Sequence, residues 1–147
     1  MTVRVLKAPD ADAMAQIHAA SFETGWPALD MAVHIGRDLC LGVEQHEGGT
    51  ISAFVILRRS DVDAEILTIA TQPSARGQGL ARRLLRAAQD RLKSDGLRHI
   101  FLEVAEDNVA AQGLYESLGY APIGRRPGYY VRQDGRVAAL TYSQALQ

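Results

Sequence analysis

Three groups of residues in this chain have the types and spacing to do chemistry. In the first, Arg76-Gly77-Gln78-Gly79-Leu80-Ala81-Arg82 sits between an apolar run and a long amphipathic pattern. Strand, glycine-rich turn and helix in that order make a phosphate cradle, with amides turned outward and a helix N-terminus worth about half a positive charge. Gly77 and Gly79 lack a Cβ and let the backbone approach an anion, and Arg76 can fork onto its oxygens. A nucleoside-triphosphate loop would need Gly-Lys-Ser/Thr after four spacer residues, and no lysine follows Gly79. A dinucleotide fingerprint would need a third glycine where Arg82 stands. The plain alternative is an ordinary strand-to-helix turn with a solvated arginine.

The second group is Glu103, inside the strand-like run Phe101-Leu102-Glu103-Val104-Ala105. Alternation puts Ile100, Leu102 and Val104 on one face and Phe101, Glu103 and Ala105 on the other. A carboxylate in an apolar strand is costly to bury without a partner or a task, and desolvation tunes such a group toward general-base work near neutrality. Pairing with an arginine, or a place at the sheet edge, explains it equally well. In the third group Asn108 suits a helix N-cap or a ligand contact. Tyr115 lies two helical turns further on, sharing a face with Asn108 and Ala111. Its phenol is either a proton donor or a core tyrosine with its hydroxyl at the surface.

The elements that must position these groups follow from periodicity. Strands are expected over residues 3–6, 39–45, 51–58, 65–70, 99–105, 120–124 and 137–142, and helices from Asp10 to Phe22 and over 28–35, 80–93 and 108–118. Glu47-Gly48-Gly49-Thr50 reads as a hairpin turn, Gly96 as a helix C-cap, and residues 125–136 as an irregular basic and aromatic loop. The helix over 80–93 should bury Leu80, Leu84, Leu85, Ala88 and Leu92 and turn Arg82, Arg83, Arg86 and Arg91 to solvent. The unit around it should be parallel strand–helix–strand. The expected fold is one α/β domain over residues 1–147.

Composition narrows the classes. A formal net charge of −1 argues against a general nucleic-acid surface. One cysteine, Cys40, excludes internal disulfides and cysteine metal clusters, and no adjacent histidine would activate it as a nucleophile. His18, His34, His46 and His99 lack metal-ligand spacing and read as surface or structural, so no metal is expected. No signal-peptide stretch or membrane-length run is present, and the expected address is the cytoplasm.

Together these motifs resemble the GNAT superfamily of N-acetyltransferases. Arg76-x-x-Gly79-x-Ala81 is similar to its pyrophosphate loop; Phe101-Leu102-Glu103-Val104, Asn108, Ala111, Tyr115 and Leu118-Gly119-Tyr120 are similar to the second half of its cofactor site. More narrowly, residues 64–70 and Gly124-Arg125-Arg126-Pro127-Gly128-Tyr129-Tyr130 resemble the ribosomal-protein-alanine N-acetyltransferases. Before Glu65 only His18, Phe22 and Trp26-Pro27 echo that family, and two departures fall near the substrate: Trp26-Pro27-Ala28 in place of Pro-Trp-Ser, and Ala105 where relatives carry arginine.

The resemblance implies a mixed sheet of six or seven strands with a splayed parallel pair and about four helices. It implies acetyl-CoA as co-substrate, bonded through the backbone of Leu67, Thr68, Ile69, Ala70 and Thr71 and cradled by Arg76, Gly77, Gln78, Gly79, Leu80, Ala81 and Arg82, with Asn108 and Ala111 alongside. Glu103 would be the base, ahead of Glu65, and Tyr115 the acid. Trp26, Tyr129 and Tyr130 would frame the substrate, a protein N-terminus, with the N-terminal alanine of a small-subunit ribosomal protein favoured; no nucleic-acid or membrane partner is expected. Two alternatives remain, a small-molecule amine acetyltransferase and a silent acyl-CoA-binding module.

Overall fold

The computed structural model describes residues 1–146. β1 (Thr2–Val5) leads through a 3-10 turn (Ala8–Asp10) into α1 (Ala11–Ser21) and α2 (Ala28–Arg37). Then come β2 (Leu39–Glu44), β3 (Ile51–Ser60), β4 (Asp63–Thr71), α3 (Leu80–Ser94), β5 (His99–Ala105), α4 (Val109–Ser117), β6 (Ala121–Arg132) and β7 (Gly135–Ala145). The strands form one sheet of seven in the order β1-β2-β3-β4-β5-β7-β6. Only β4 and β5 run parallel, joined through α3 as expected.

The centre of the sheet is covered on both faces, and β3 shows it most directly. Its residues are buried from Ile51 to Leu57. Ala53, Val55 and Leu57 face the α3 side, while Phe54 and Ile56 face α1 and α2. An uninterrupted apolar run is what such a doubly covered strand needs. α3 buries the five residues its period selects, Leu80, Leu84, Leu85, Ala88 and Leu92. Arg83, Arg86 and Arg91 are exposed, whereas Arg82 is half-buried and donates to Ser117 Oγ on α4. On the opposite face Met14, Ile17 and Met31 pack against Cys40, Phe54 and Ile56.

One expectation is corrected. Residues 125–132 are not an irregular loop: they continue β6, which pairs with β7 out to Arg132–Gly135. The alternation is hidden because the ladder slips twice, between Pro122 and Gly124 and between Arg126 and Tyr130, with Pro127-Gly128 in the second slip. No residue of β6 is fully buried, so no apolar period marks it.

Among the described residues no helix is long and apolar enough to cross a membrane. Leu84 is fully buried at the centre of the α3 contact. Leu84→Ala should lower the unfolding free energy by about 3 kcal/mol, read as a lower urea midpoint at unchanged slope.

Candidate active site

The sheet opens between its two parallel strands. β4 and β5 share four rungs, from Asp63–His99 to Ile66–Leu102, and then part. An extra residue lies where they separate: Ile66 pairs with Leu57 and Thr68 with Ile56, so Leu67 is bulged out of the β3–β4 ladder. Beyond it β4 stays bonded to β3 through residues 68–71, and β5 to β7 through residues 103–105. Backbone groups on the facing sides of residues 67–71 and 103–105 thus lack a strand partner, and an extended ligand can take that place.

A cavity of about 580 Å³ occupies the gap. Its floor is Leu67, Thr68 and Ile69 of β4 and Glu103 and Ala105 of β5. His18, Phe22 and Trp26 form one wall; Tyr115 of α4 and Tyr130 and Arg132 of β6 form the other. A second cavity of about 650 Å³ runs from Ile69, Ala70 and Thr71 past Arg76, Gly77 and Gly79 to Leu80, Ala81 and Arg82. Ser21, Phe22, Ile69, Asn108 and Ala111 line both, so the two are continuous.

The turn at the end of the second cavity has the backbone an anion site needs. Gly77 and Gly79 have φ of 77° and 76°, and a Cβ at either would meet nothing within 4 Å. Left-handed backbone facing open space is what glycine supplies here. No side chain caps α3, so the first-turn amides are available. Arg76 lines this cavity but reaches back: its Nη2 donates to Ser21 Oγ (3.2 Å) and its Nε to the Thr71 carbonyl (3.4 Å).

Glu103 carries one committed and one open oxygen. Oε1 stands 3.4 Å from Arg126 Nη2. Oε2 is buried and has no hydrogen-bond partner among the described residues. An unmatched carboxylate oxygen in a cavity is an acceptor waiting for a donor. Tyr115 is 5% exposed. Burial, with Tyr120 and Tyr130 adding to it, pushes its phenol well above the ordinary tyrosine range, so it holds its proton throughout neutral pH. Asn108 caps α4 by accepting from the Ala111 N–H at 3.1 Å while its side chain lines both cavities. The capping role weighed for it is thus present, at a position that borders both cavities.

The arginines of β6 do not form a free basic surface. Arg125 forks onto Glu106, Arg126 meets Glu103, and Arg132 meets Asp107. Arg126 also lies over the Tyr129 ring and Arg132 over Tyr130, at 5.3 and 5.4 Å.

Two expected site residues lie off the cavities: Gln78, which bonds Gln45, and Tyr129, half exposed with its ring edge-on to Tyr130. Glu65 is exposed, pairs in register with Arg58, and lines neither cavity. Cys40 is buried, with its thiol pushed up to about 12 by desolvation and by nearby Asp38. His18 was not expected to border the site. A usable signal existed: it follows Met14 by four residues, on the stripe α1 buries.

Comparison with known proteins agrees with this geometry. The model of the acetyltransferase (GNAT) family matches residues 11–120. The ribosomal protein bS18-alanine N-acetyltransferase of Escherichia coli (strain K12) is 32% identical over 139 residues, spanning 95% of this chain and 93% of that protein. The crystal structure of the ribosomal-protein-S18-alanine N-acetyltransferase from Escherichia coli superposes with a TM-score of 0.92, covering 99% of this chain and 94% of that one. Arabidopsis thaliana NAA60 in complex with acetyl-CoA has a TM-score of 0.84 at 16% identity, a likeness of fold alone. The chain belongs to the GNAT family and is an acetyl-CoA-dependent N-acetyltransferase.

Proposed function

We propose that this chain acts as one catalytic domain in the cytoplasm, transferring acetyl to the α-amine of a protein N-terminus, with the N-terminal alanine of ribosomal protein bS18 as its acceptor. The observation that carries the reading is the unpartnered Oε2 of Glu103 in the gap, in the same cavity as protonated Tyr115. The printed activity of the Escherichia coli relative supports the choice of acceptor.

Acetyl-CoA supplies an activated acetyl thioester when bound. The chain's residues fit it: the open backbone edge of residues 67–71 suits an amide-bearing arm, and the α3 amides with the left-handed Gly77–Gly79 turn suit a pyrophosphate. The Ile69 amide region offers a donor for charge that develops on a carbonyl oxygen. Glu103 Oε2 accepts the proton an α-ammonium must lose, directly or through water. That loss is easy, since the reference pKa is about 8. Tyr115 is the donor for a departing thiolate. Trp26 and Tyr130 stand on opposite walls and frame the acceptor's first residues. A polycation pocket would need surplus carboxylates, whereas this cavity is lined by two, Glu23 and Glu103, with Arg132 on its wall and Arg126 on one Glu103 oxygen.

Glu103→Gln should lower kcat by roughly 10²- to 10⁴-fold and leave the acetyl-CoA Kd within about twofold, measured by thiol release and calorimetry. Unchanged turnover would remove Glu103 from the mechanism; undiminished biological activity without turnover would favour an acyl-CoA-binding module. With a panel of N-terminal peptides and polyamines, Ala-initiated peptides should be acetylated. Turnover of free amines alone would overturn the protein-substrate reading. The rate should rise with pH through the amine's range near 8 and show no loss from Tyr115 below about pH 10, because the buried phenol stays protonated there. Gly79→Ala should raise the acetyl-CoA Kd by about 3- to 10-fold: its 76° φ costs a Cβ-bearing residue about 1 kcal/mol, the free turn relaxes to relieve that strain, and binding must restore it.

A further inference from the structure

Four rings stack in the order Phe22, His18, Trp26, His34, the first three on the acceptor wall. Centroid separations are 4.3, 4.7 and 5.2 Å, and successive planes lie within 27° of parallel. His18 is the buried member, 2% exposed, with Phe54 of β3 behind it at 6.3 Å. Its Nδ1 accepts from the Trp26 backbone N–H at 3.1 Å. A ring nitrogen accepts only without a proton, so the geometry requires the neutral ring with its hydrogen on Nε2.

The bond matters because residues 22–27 have no regular secondary structure to hold them. Trp26 is therefore located by side chains: His18 on one side, His34 on the other. The two imidazoles differ. His34 Nδ1 lies 2.8 Å from the Asp38 carboxylate, which also meets Arg58 and Arg37. His18 takes part in no ion pair among the described residues, and desolvation holds its pKa below the ordinary histidine value. The titratable and charged groups sharing its cavity are Glu23, Glu103, Tyr115, Tyr130 and Arg132.

We propose that neutral His18 is a positioning residue for the acceptor: by accepting from the Trp26 N–H and stacking between Phe22 and Trp26, it sets the wall against which the acceptor's first residue lies, and protonation releases that wall. This rests on the reading of the cleft as an acceptor site for an amine. The sign follows from linkage. The folded chain binds the His18 proton less well than the unfolded chain, so the wall is complete above about pH 6.5 and is lost as pH falls below it.

Trp26 is the only tryptophan, so its emission reports the stack without any assay of activity. His18→Phe keeps the ring and removes the acceptor; His18→Asn keeps an acceptor oxygen and removes the ring. Both should raise the peptide KM by about 5- to 20-fold, the effect of one buried hydrogen bond. Both should leave kcat at saturating peptide and the acetyl-CoA Kd within about twofold, since neither constant depends on the free wall. In the unaltered protein, peptide KM should climb and Trp26 emission should change together below about pH 6.5. In His18→Phe the emission should be flat with pH and KM should follow only the protonation of the acceptor amine, without the added rise below about pH 6.5; in His34→Phe the emission transition should persist.

A peptide KM unchanged in both His18 variants, or an emission transition that survives in His18→Phe, would overturn the proposal. If a His18 variant does not fold, the emission transition of the unaltered protein decides, together with a KM corrected for the fraction of neutral acceptor amine: no emission change below about pH 6.5, or no rise in that corrected KM, overturns the proposal. Should only free amines be acetylated, the peptide reading fails, and the same split between KM and kcat measured on that amine still tests His18.

Discussion

The site exists because two parallel strands stop pairing while both continue. Past Ile66 and Leu102 each strand stays tied on its outer side, β4 to β3 and β5 to β7. Each unmade rung forgoes a hydrogen bond worth about 1 kcal/mol net, and open backbone is tolerable only where water or a ligand reaches it. The bulge at Leu67 begins the divergence, and the cores on both faces hold the walls apart. One local irregularity thus yields a slot with backbone donors along its edge, a helix N-terminus at one end and Glu103 on its floor.

Charge is distributed around this slot so that little of it is free. Arg125, Arg126 and Arg132 of β6 meet Glu106, Glu103 and Asp107, in β5 and the turn that follows it. Exposed pairs contribute at most about 1 kcal/mol each, so their effect is on position. They hold an otherwise exposed strand over the cavity and bring Tyr130 to its wall. They also use one oxygen of Glu103 and leave the other open.

The parts legible in the sequence are those governed by a period. The five buried positions of α3 and the alternation of β5 that sets Glu103 opposite Leu102 and Val104 follow from 3.6 and 2.0 residues per repeat. Asn108 was legible from cap chemistry. β6 was not, because it buries nothing and slips register twice, so neither alternation nor an apolar run marks it. His18 was underread for another reason. A histidine on a buried stripe is compatible with plain packing, and only the spatial return of Trp26 onto its Nδ1 gives it a further role.

These two modes of construction divide the cleft. The donor half is built from elements with strong local determinants: a strand with ladder bonds on one side, a left-handed glycine turn and a helix start. Backbone geometry dictates its shape, and outside Gly77 and Gly79 side chains can change there without moving an amide. The acceptor half is built from residues 22–27 and the β6 strand, located by an imidazole stack and arginine–carboxylate pairs. Few substitutions are needed to reshape a wall held by side chains, because each contact is a single pair. Of the departures from the ribosomal-protein acetyltransferase pattern, Trp26-Pro27-Ala28 falls on this half and Ala105 on the β5 floor of the same cavity. On the proposed function, backbone geometry shapes the end of the cleft that takes the acetyl donor, and a handful of aromatic and charged contacts shapes the end that takes the amine.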